Sequence, residues 1–114
     1  MQPLDFDKLP EPIGRYLAAH RTHDTPTELG TFTPDATVTD EGRTYSGIDA
    51  IERWMNRAAA EYTYTIEPTG YLRTGDHKHT VTQRLEGDFP GGLVDLHFRF
   101  TLRDGLIERL LIEP

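Results

Sequence analysis

The sequence has no cysteine among its 114 residues, so it forms neither a disulfide nor a thiolate metal site. It also has no apolar run near the roughly 20 residues that a membrane-spanning helix needs. The N-terminus lacks the basic stretch and apolar core of a signal peptide. We therefore expect a soluble, cytoplasmic protein.

An excess of positive charge is missing too. The chain has 12 Lys and Arg against 19 Asp and Glu, a formal net charge of −7. The arginines are interleaved with acidic or apolar residues, so no basic patch emerges to attract nucleic acid or an anionic membrane. An apolar or aromatic small molecule, or a second copy of the chain, is the expected partner.

Common catalytic and cofactor-binding motifs are absent from the sequence. It contains no Ser-centred elbow, phosphate loop or dinucleotide fingerprint. His77 and His79 flank a turn with no carboxylate in phase, and His23 lies off the apolar face that carries His20. We expect no metal site and no cofactor.

The composition is that of one folded domain. Hydrophobic residues make up 36% and charged residues 27%, and there is no repeat or low-complexity segment. Residues 1–9 carry no clear pattern and are predicted to form an arm. A single domain is predicted for residues 10–114.

Three segments have the spacing or start signals of helices. The first and third carry apolar stripes, at Ile13, Tyr16, Leu17 and His20, and at Ile51, Trp54, Met55 and Ala58. Thr25 and Glu28 form a capping box that predicts the start of the second. Thr33–Asp35 are turn residues that are expected to end this second element.

Strands are predicted between and after these helices. Residues 36–40 are rich in β-branched side chains, and in a strand Ala36, Val38 and Asp40 point to one side. A Thr-Gly turn at residues 69–70 is expected to interrupt the next strand region, and Asp104-Gly105 to join the last two strands. The order predicts an α+β fold, three N-terminal helices packed on a curved antiparallel sheet.

This order and three phrases resemble the nuclear-transport-factor-2-like superfamily. The phrases are Gly14-Arg-Tyr-Leu17, Phe32-Thr-Pro-Asp-Ala-Thr-Val-Thr-Asp40 and Tyr45-Ser-Gly-Ile-Asp-Ala-Ile-Glu-Arg-Trp54. The superfamily has a cone-shaped, cystatin-like α+β fold and includes SnoaL-like polyketide cyclases and ketosteroid isomerases. The resemblance covers about Leu9 to Glu113. It implies a cavity for a small molecule and a homodimer formed through the outer sheet face.

The resemblance to ketosteroid isomerases implies roles for individual residues. Tyr16 would donate a hydrogen bond to an oxyanion and Asp40 would shuttle a proton. Apart from the resemblance, His20 lies one turn beyond Tyr16 on the same helix face and is the alternative donor. The third catalytic acid of those isomerases has no good match, because Asp95 is out of phase with its apolar neighbours. SnoaL-like cyclases, which also use an acid in an apolar cavity, fit this departure better.

Each candidate residue also has a structural interpretation. Asp40 can be a solvated turn acid, and Tyr16 and His20 can be a core tyrosine and a helix-end histidine. The predicted ligand-binding residues can equally belong to the core; they are Trp54, Tyr62, Tyr64, Gln83 and Phe98. Two functions therefore remain open: a cofactor-independent isomerase or cyclase, and a non-catalytic ligand-binding or dimerisation module.

Overall fold

A computed structural model describes residues 8–61 and 63–114 and gives them three helices and six strands. In chain order these are α1 (Glu11–Arg21), α2 (Thr25–Leu29), β1 (Phe32–Asp40), β2 (Arg43–Ser46), α3 (Ile48–Glu61), β3 (Tyr64–Arg73), β4 (Lys78–Gly87), β5 (Leu93–Arg103) and β6 (Leu106–Glu113). None of the described helices is long and apolar enough to cross a membrane.

The strands form one curved, unclosed sheet in the order β2-β1-β6-β5-β4-β3, with the helices packed on it. The predicted α+β fold with three helices is thereby confirmed. The sheet is antiparallel except between β1 and β6, the second and third strands from the β2 edge, which run parallel. Two parallel neighbours need a crossover connection, and the long stretch of chain between β1 and β6 provides one.

Two segments predicted as turns lie inside strands. Thr33–Asp35 belongs to β1, where the register against β6 shifts between Phe32 and Thr37. Thr69 and Gly70 belong to β3, where the register against β4 shifts between Pro68 and Gly70. Both predictions were wrong for one reason: a β-bulge lets a strand hold proline or glycine without ending.

The helices begin with local signals. α1 has Pro12 in its first turn, where the missing N–H costs no hydrogen bond. α2 is capped by Asp24, whose carboxylate accepts from the Thr27 backbone N–H at 3.4 Å and from its hydroxyl at 2.7 Å. The cap is therefore one residue earlier than Thr25, and Glu28 does not complete a capping box but lies buried.

The core lies between the helices and the inner face of the sheet. Buried side chains from both layers form it, among them Ile13, Leu17, Ile51, Val81, Phe98, Phe100 and Leu110. Leu9, the last residue of the predicted arm, is also buried in this core, whereas residues 1–7 lie outside the described part. The side chains of β5 alternate between core and solvent, since Phe98 and Phe100 are buried and Asp95 and Arg99 are exposed.

Candidate functional site

One end of the inner face holds a cavity of about 620 Å³. Its walls come from the end of β1, from β2, from the middle and C-terminal part of α3, from the start of β3, from the end of β4 with the loop after it, and from β5 and β6. The apolar lining includes Trp54, Leu85, Phe89, Val94, Leu96 and Ile112. The polar lining includes Asp40, Tyr45, Arg57, Glu61 and Tyr64. A mostly apolar wall with a few polar groups is typical of a small-molecule site.

Asp40 is the carboxylate that ends β1 at this wall. The Trp54 indole N–H donates a hydrogen bond to its Oδ2 at 3.1 Å. Burial raises the pKa of Asp40 above its ordinary value, although the bonds from Trp54 and from the Glu41 backbone oppose the rise. The nearby charge of Glu61 adds to the rise and that of Arg57 reduces it. Asp40 is thus a partly desolvated carboxylate facing an apolar space.

A second polar group joins three elements beside the cavity. His20, in the last turn of α1, places Nδ1 3.2 Å from Oε2 of Glu28 in α2. Its Nε2 lies 3.3 Å from the hydroxyl of Tyr64 at the start of β3. The side chain of Glu28 is only 5% exposed. We call Glu28, His20 and Tyr64 the relay triad.

Of the three residues of the relay triad, Tyr64 is the one that lines the cavity. His20 and Glu28 line a separate space of about 20 Å³, large enough for one water molecule. Trp54, Ala58 and Tyr64 line both spaces and so form the partition between them. Burial raises the pKa of Tyr64, and the charges of Glu28 and Asp40 raise it further.

Tyr16 lies deeper than either space. Its ring stacks on His20 with centroids 5.8 Å apart and meets Phe32 and Phe100 edge-on. It is fully buried, and its hydroxyl has no hydrogen-bond partner within the described residues. Burial raises the pKa of this phenol well above its ordinary value, followed by the charge of Glu28. Tyr16 lines neither space, so its predicted donor role stays a prediction.

Two of the predicted ligand-binding residues lie away from the cavity wall, and a third lies outside the part of the chain that the structure describes. Phe98 is 3% exposed and belongs to the core. Gln83 is 2% exposed on the inner face, and its Nε2 has no partner in the described part of the chain. Tyr62 lies outside the described residues. By contrast, Trp54 and Tyr64 both line the cavity.

Sequence reasoning missed several groups of the site. Glu28 was interpreted as a cap, and Arg57 was not singled out. Arg57 donates to the Tyr45 hydroxyl and lies over the Tyr45 ring, 5.4 Å from its centroid. The helical spacing of Trp54 and Arg57, three residues apart, was the available signal, because it puts both on one side of α3.

The position of Tyr64 depends on a close approach between β3 and β4. A Cβ on Gly87 would clash with the Thr63 carbonyl oxygen and lie 2.6 Å from the Cβ of Tyr64. Asp88 reinforces the approach, since its carboxylate accepts from the Thr63 N–H at 2.9 Å and its own N–H donates to the Thr63 oxygen at 3.1 Å. Only glycine fits here without displacing Tyr64.

Comparison with known proteins shows the family to which this chain belongs. A family model described as a SnoaL-like domain matches residues 13–110. The chain belongs to the SnoaL-like domain family. A candidate polyketide cyclase from Sinorhizobium meliloti is 38% identical, with a TM-score of 0.91 over 96% of this chain and 100% of that one. A search of curated proteins gives no significant match.

More distant solved structures share the fold of this SnoaL-like domain. A Catenulispora acidiphila protein with a ketosteroid isomerase-like fold, crystallised with trimethylamine, is 22% identical, with a TM-score of 0.80 over 94% of this chain and 87% of that one. A Mycobacterium tuberculosis protein crystallised with estradiol-17β-hemisuccinate is 15% identical, with a TM-score of 0.76 over 90% of each chain. The domain therefore has the NTF2-like, ketosteroid isomerase-like fold.

Proposed function

We propose that this SnoaL-like domain binds an apolar or aromatic carbonyl compound in the cavity and moves a proton on it through Asp40, without a cofactor. One observation carries the proposal: Asp40 lines an apolar wall, and its pKa is raised chiefly by burial. A carboxylate with a raised pKa is a stronger base than an ordinary aspartate once it is ionised.

The chemistry uses one carboxylate twice. Asp40 takes a proton from the carbon next to a carbonyl, and the C–H electron pair moves into an enolate. In an isomerase the protonated Asp40 returns the proton to another carbon. In a cyclase the enolate carbon attacks a second carbonyl of the same molecule, and the protonated Asp40 gives its proton to the new alkoxide. The resemblance assigns the enolate's hydrogen-bond donor to Tyr16, and His20, on the same face of α1, is the other candidate donor.

The comparisons support a small-molecule ligand of this class. The relative from Sinorhizobium meliloti is a candidate polyketide cyclase, and polyketides carry the carbonyl spacing that such chemistry requires. The relative from Mycobacterium tuberculosis was crystallised with a steroid ester. Both ligand classes are largely apolar, like the wall formed by Leu85, Val94 and Leu96.

A non-catalytic binding module is the second candidate, and one observation favours it. The Trp54 indole and the Glu41 backbone already satisfy the Asp40 carboxylate, as expected of a purely structural acid. In that case replacement of Asp40 changes affinity or stability and leaves no reaction to lose.

Proton exchange tests the two candidates without knowledge of the natural substrate. A panel of aromatic β-diketones and β,γ-unsaturated ketones is incubated with the protein in D₂O, and loss of the α-proton signal is followed by NMR. We expect Asp40→Asn to lower the catalysed exchange rate at least about 100-fold while the ligand still binds. The matched control is Asp76→Asn, in the exposed β3–β4 turn, which keeps the wild-type rate.

Equal exchange rates for Asp40→Asn and the wild type would contradict the proton shuttle. Ligand binding without exchange by the wild type, across the whole panel, would favour the binding module.

A cytoplasmic location stays a prediction.

The proposal includes a homodimer through the outer face of β4–β6. This face carries exposed ion pairs, Arg84 with Asp95 at 3.0 Å and Arg99 with Glu113 at 2.7 Å. A mixed-charge surface can pair with its own copy about a twofold axis. Native mass spectrometry at micromolar concentration is expected to show a dimer that Arg99→Glu weakens. A wild-type monomer would contradict this part of the proposal.

A further inference from the structure

The relay triad contains a carboxylate that needs a positive partner. Glu28 is 4% exposed, and among the described residues its ion pair is with His20. A buried carboxylate without a countercharge is costly, so the doubly protonated imidazole is the form that neutralises it. The ring of Tyr16 stacks on this imidazole at 5.8 Å, within the range at which a tyrosine face stabilises a cation.

With both ring nitrogens of His20 protonated, its two contacts fix where each proton points. Nδ1–H of His20 donates to Glu28, so the ring is held with Nε2 toward Tyr64. In the doubly protonated ring Nε2–H donates to the Tyr64 oxygen. That oxygen can no longer give its own proton to His20, so the Tyr64 O–H is free to donate elsewhere.

The cavity is one direction open to that proton, because Tyr64 lines it. Tyr64 lines the wall that also holds Asp40. The charge of Asp40 contributes to the raised pKa of Tyr64, so the two groups interact electrostatically. Tyr16 lacks this access, since it is fully buried and lines neither space. Of the two tyrosines, it is therefore Tyr64 and not Tyr16 that can reach a ligand in the cavity.

We infer that Tyr64 is the hydrogen-bond donor to the oxyanion of the bound ligand, and that His20 and Glu28 are positioning residues that orient its proton toward the cavity. This inference rests on the proposed function, because it concerns the enolate that Asp40 would create. A chain of hydrogen bonds ending in a charged pair strengthens the terminal donor.

Binding of an enolate mimic tests the inference without turnover. The probe is 4-nitrophenol, whose phenolate absorbs visible light, and nitrobenzene is the matched compound without the oxygen. The experiment uses Asp40→Asn, because after proton removal Asp40 is neutral and the amide copies that state. The ratio of the two affinities isolates the hydrogen bond to the phenolate oxygen.

We expect Tyr64→Phe to weaken phenolate binding about tenfold or more relative to nitrobenzene. Glu28→Gln is expected to weaken phenolate binding several-fold in the protein that keeps Tyr64. In the Tyr64→Phe background the same change is expected to have no further effect. Tyr71→Phe, which removes the hydroxyl of a second tyrosine–histidine pair outside the cavity, is the control and leaves the ratio unchanged. His20→Gln replaces Glu28→Gln in the cycle if the latter does not fold.

An unchanged ratio in Tyr64→Phe would overturn the assignment of the donor. An equal loss from Glu28→Gln in both backgrounds would overturn the positioning role, since Glu28 would then act through general structure. Neither result depends on the proton-exchange assay, so failure of the shuttle at Asp40 and failure of the donor at Tyr64 are distinguishable.

Discussion

A tyrosine–histidine pair lies at each end of the inner face of the sheet, and the two pairs differ in their surroundings. At the cavity end Tyr64 meets His20 at 3.3 Å, with Glu28 bound to the other ring nitrogen. At the far end the Tyr71 hydroxyl lies 2.7 Å from Nδ1 of His79, and the rings stack 5.9 Å apart.

The neighbours, rather than the pair itself, decide what each histidine does. Burial lowers the pKa of His79, and the charges of Arg73 and His77 lower it further. A neutral His79 accepts from Tyr71, so that pair is internally satisfied and closed. His20 has a carboxylate in place of a cation, and its pair opens onto a cavity. The same two side chains thus give a structural contact at one end and a candidate site at the other.

The largest expected effect breaks the cavity end alone. Gly87→Ala places a Cβ against Thr63 and Tyr64, so the start of β3 must move, and we expect a loss of about 1–3 kcal/mol in the free energy of unfolding. Gly75→Ala is the control at the far end, because its Cβ would lie at an ordinary 3.5 Å from Lys78. Urea denaturation measures both, and an equally stable Gly87→Ala would contradict the close approach.

Removal of one hydroxyl at a time compares the pairs directly. Tyr71→Phe leaves Nδ1 of the buried His79 without its partner, and we expect a loss of about 1 kcal/mol. Tyr64→Phe should cost less than about half of that, because His20 keeps Glu28. The measurement is the thermal unfolding of each variant at neutral pH. A larger loss in Tyr64→Phe would reverse the comparison.

Asp40→Asn is expected to stabilise the cavity end by about 0.5–1 kcal/mol at neutral pH. The raised pKa means that the fold disfavours the ionised carboxylate, so wild-type stability falls as the pH rises through the pKa of the folded state. The amide removes that loss and can still accept from Trp54. Asp95→Asn is the control with the opposite sign, since Arg84 lowers the pKa of Asp95. Denaturation at two pH values checks both signs.

The smallest effect concerns acid. The lowered pKa of His79 means that the folded state holds this proton less tightly than the unfolded chain does. Its stability contribution is complete above the ordinary value of 6.5 and declines as the pH falls through that value toward the folded-state pKa. We expect His79→Gln to lose less stability than the wild type between pH 7 and pH 5. Parallel losses would contradict a neutral His79.

Period-two and helical patterns predicted the direction in which two side chains of the cavity wall point. The phase of Asp40 with Ala36 and Val38 predicted that its side chain points inward, and the structure places it at the cavity wall. The stripe of α3 likewise predicted that Trp54 faces the sheet, where it bonds Asp40. These predictions succeed because each depends on the geometry of one regular element.

The relay triad was beyond prediction because it depends on contacts between elements. Glu28 lies in a five-residue helix, too short to show periodicity, and its partner His20 lies in a different helix. Gln83 shows the converse: the sequence leaves a ligand contact and a core position both open for it, and the structure buries it beside the cavity, paired across the strands with the lining residue Leu96. Where an apolar face becomes a cavity is a tertiary property.

The most direct test of the central claim is a ¹³C NMR titration of the aspartate carboxyl groups in the wild-type protein. Burial raises the pKa of Asp40, whereas hydrogen bonds from Arg103 and Arg84 lower those of Asp35 and Asp95. The account predicts that Asp40 loses its proton at clearly higher pH than the other two. Titration of Asp40 together with Asp95 or below it would contradict a desolvated base at the cavity wall.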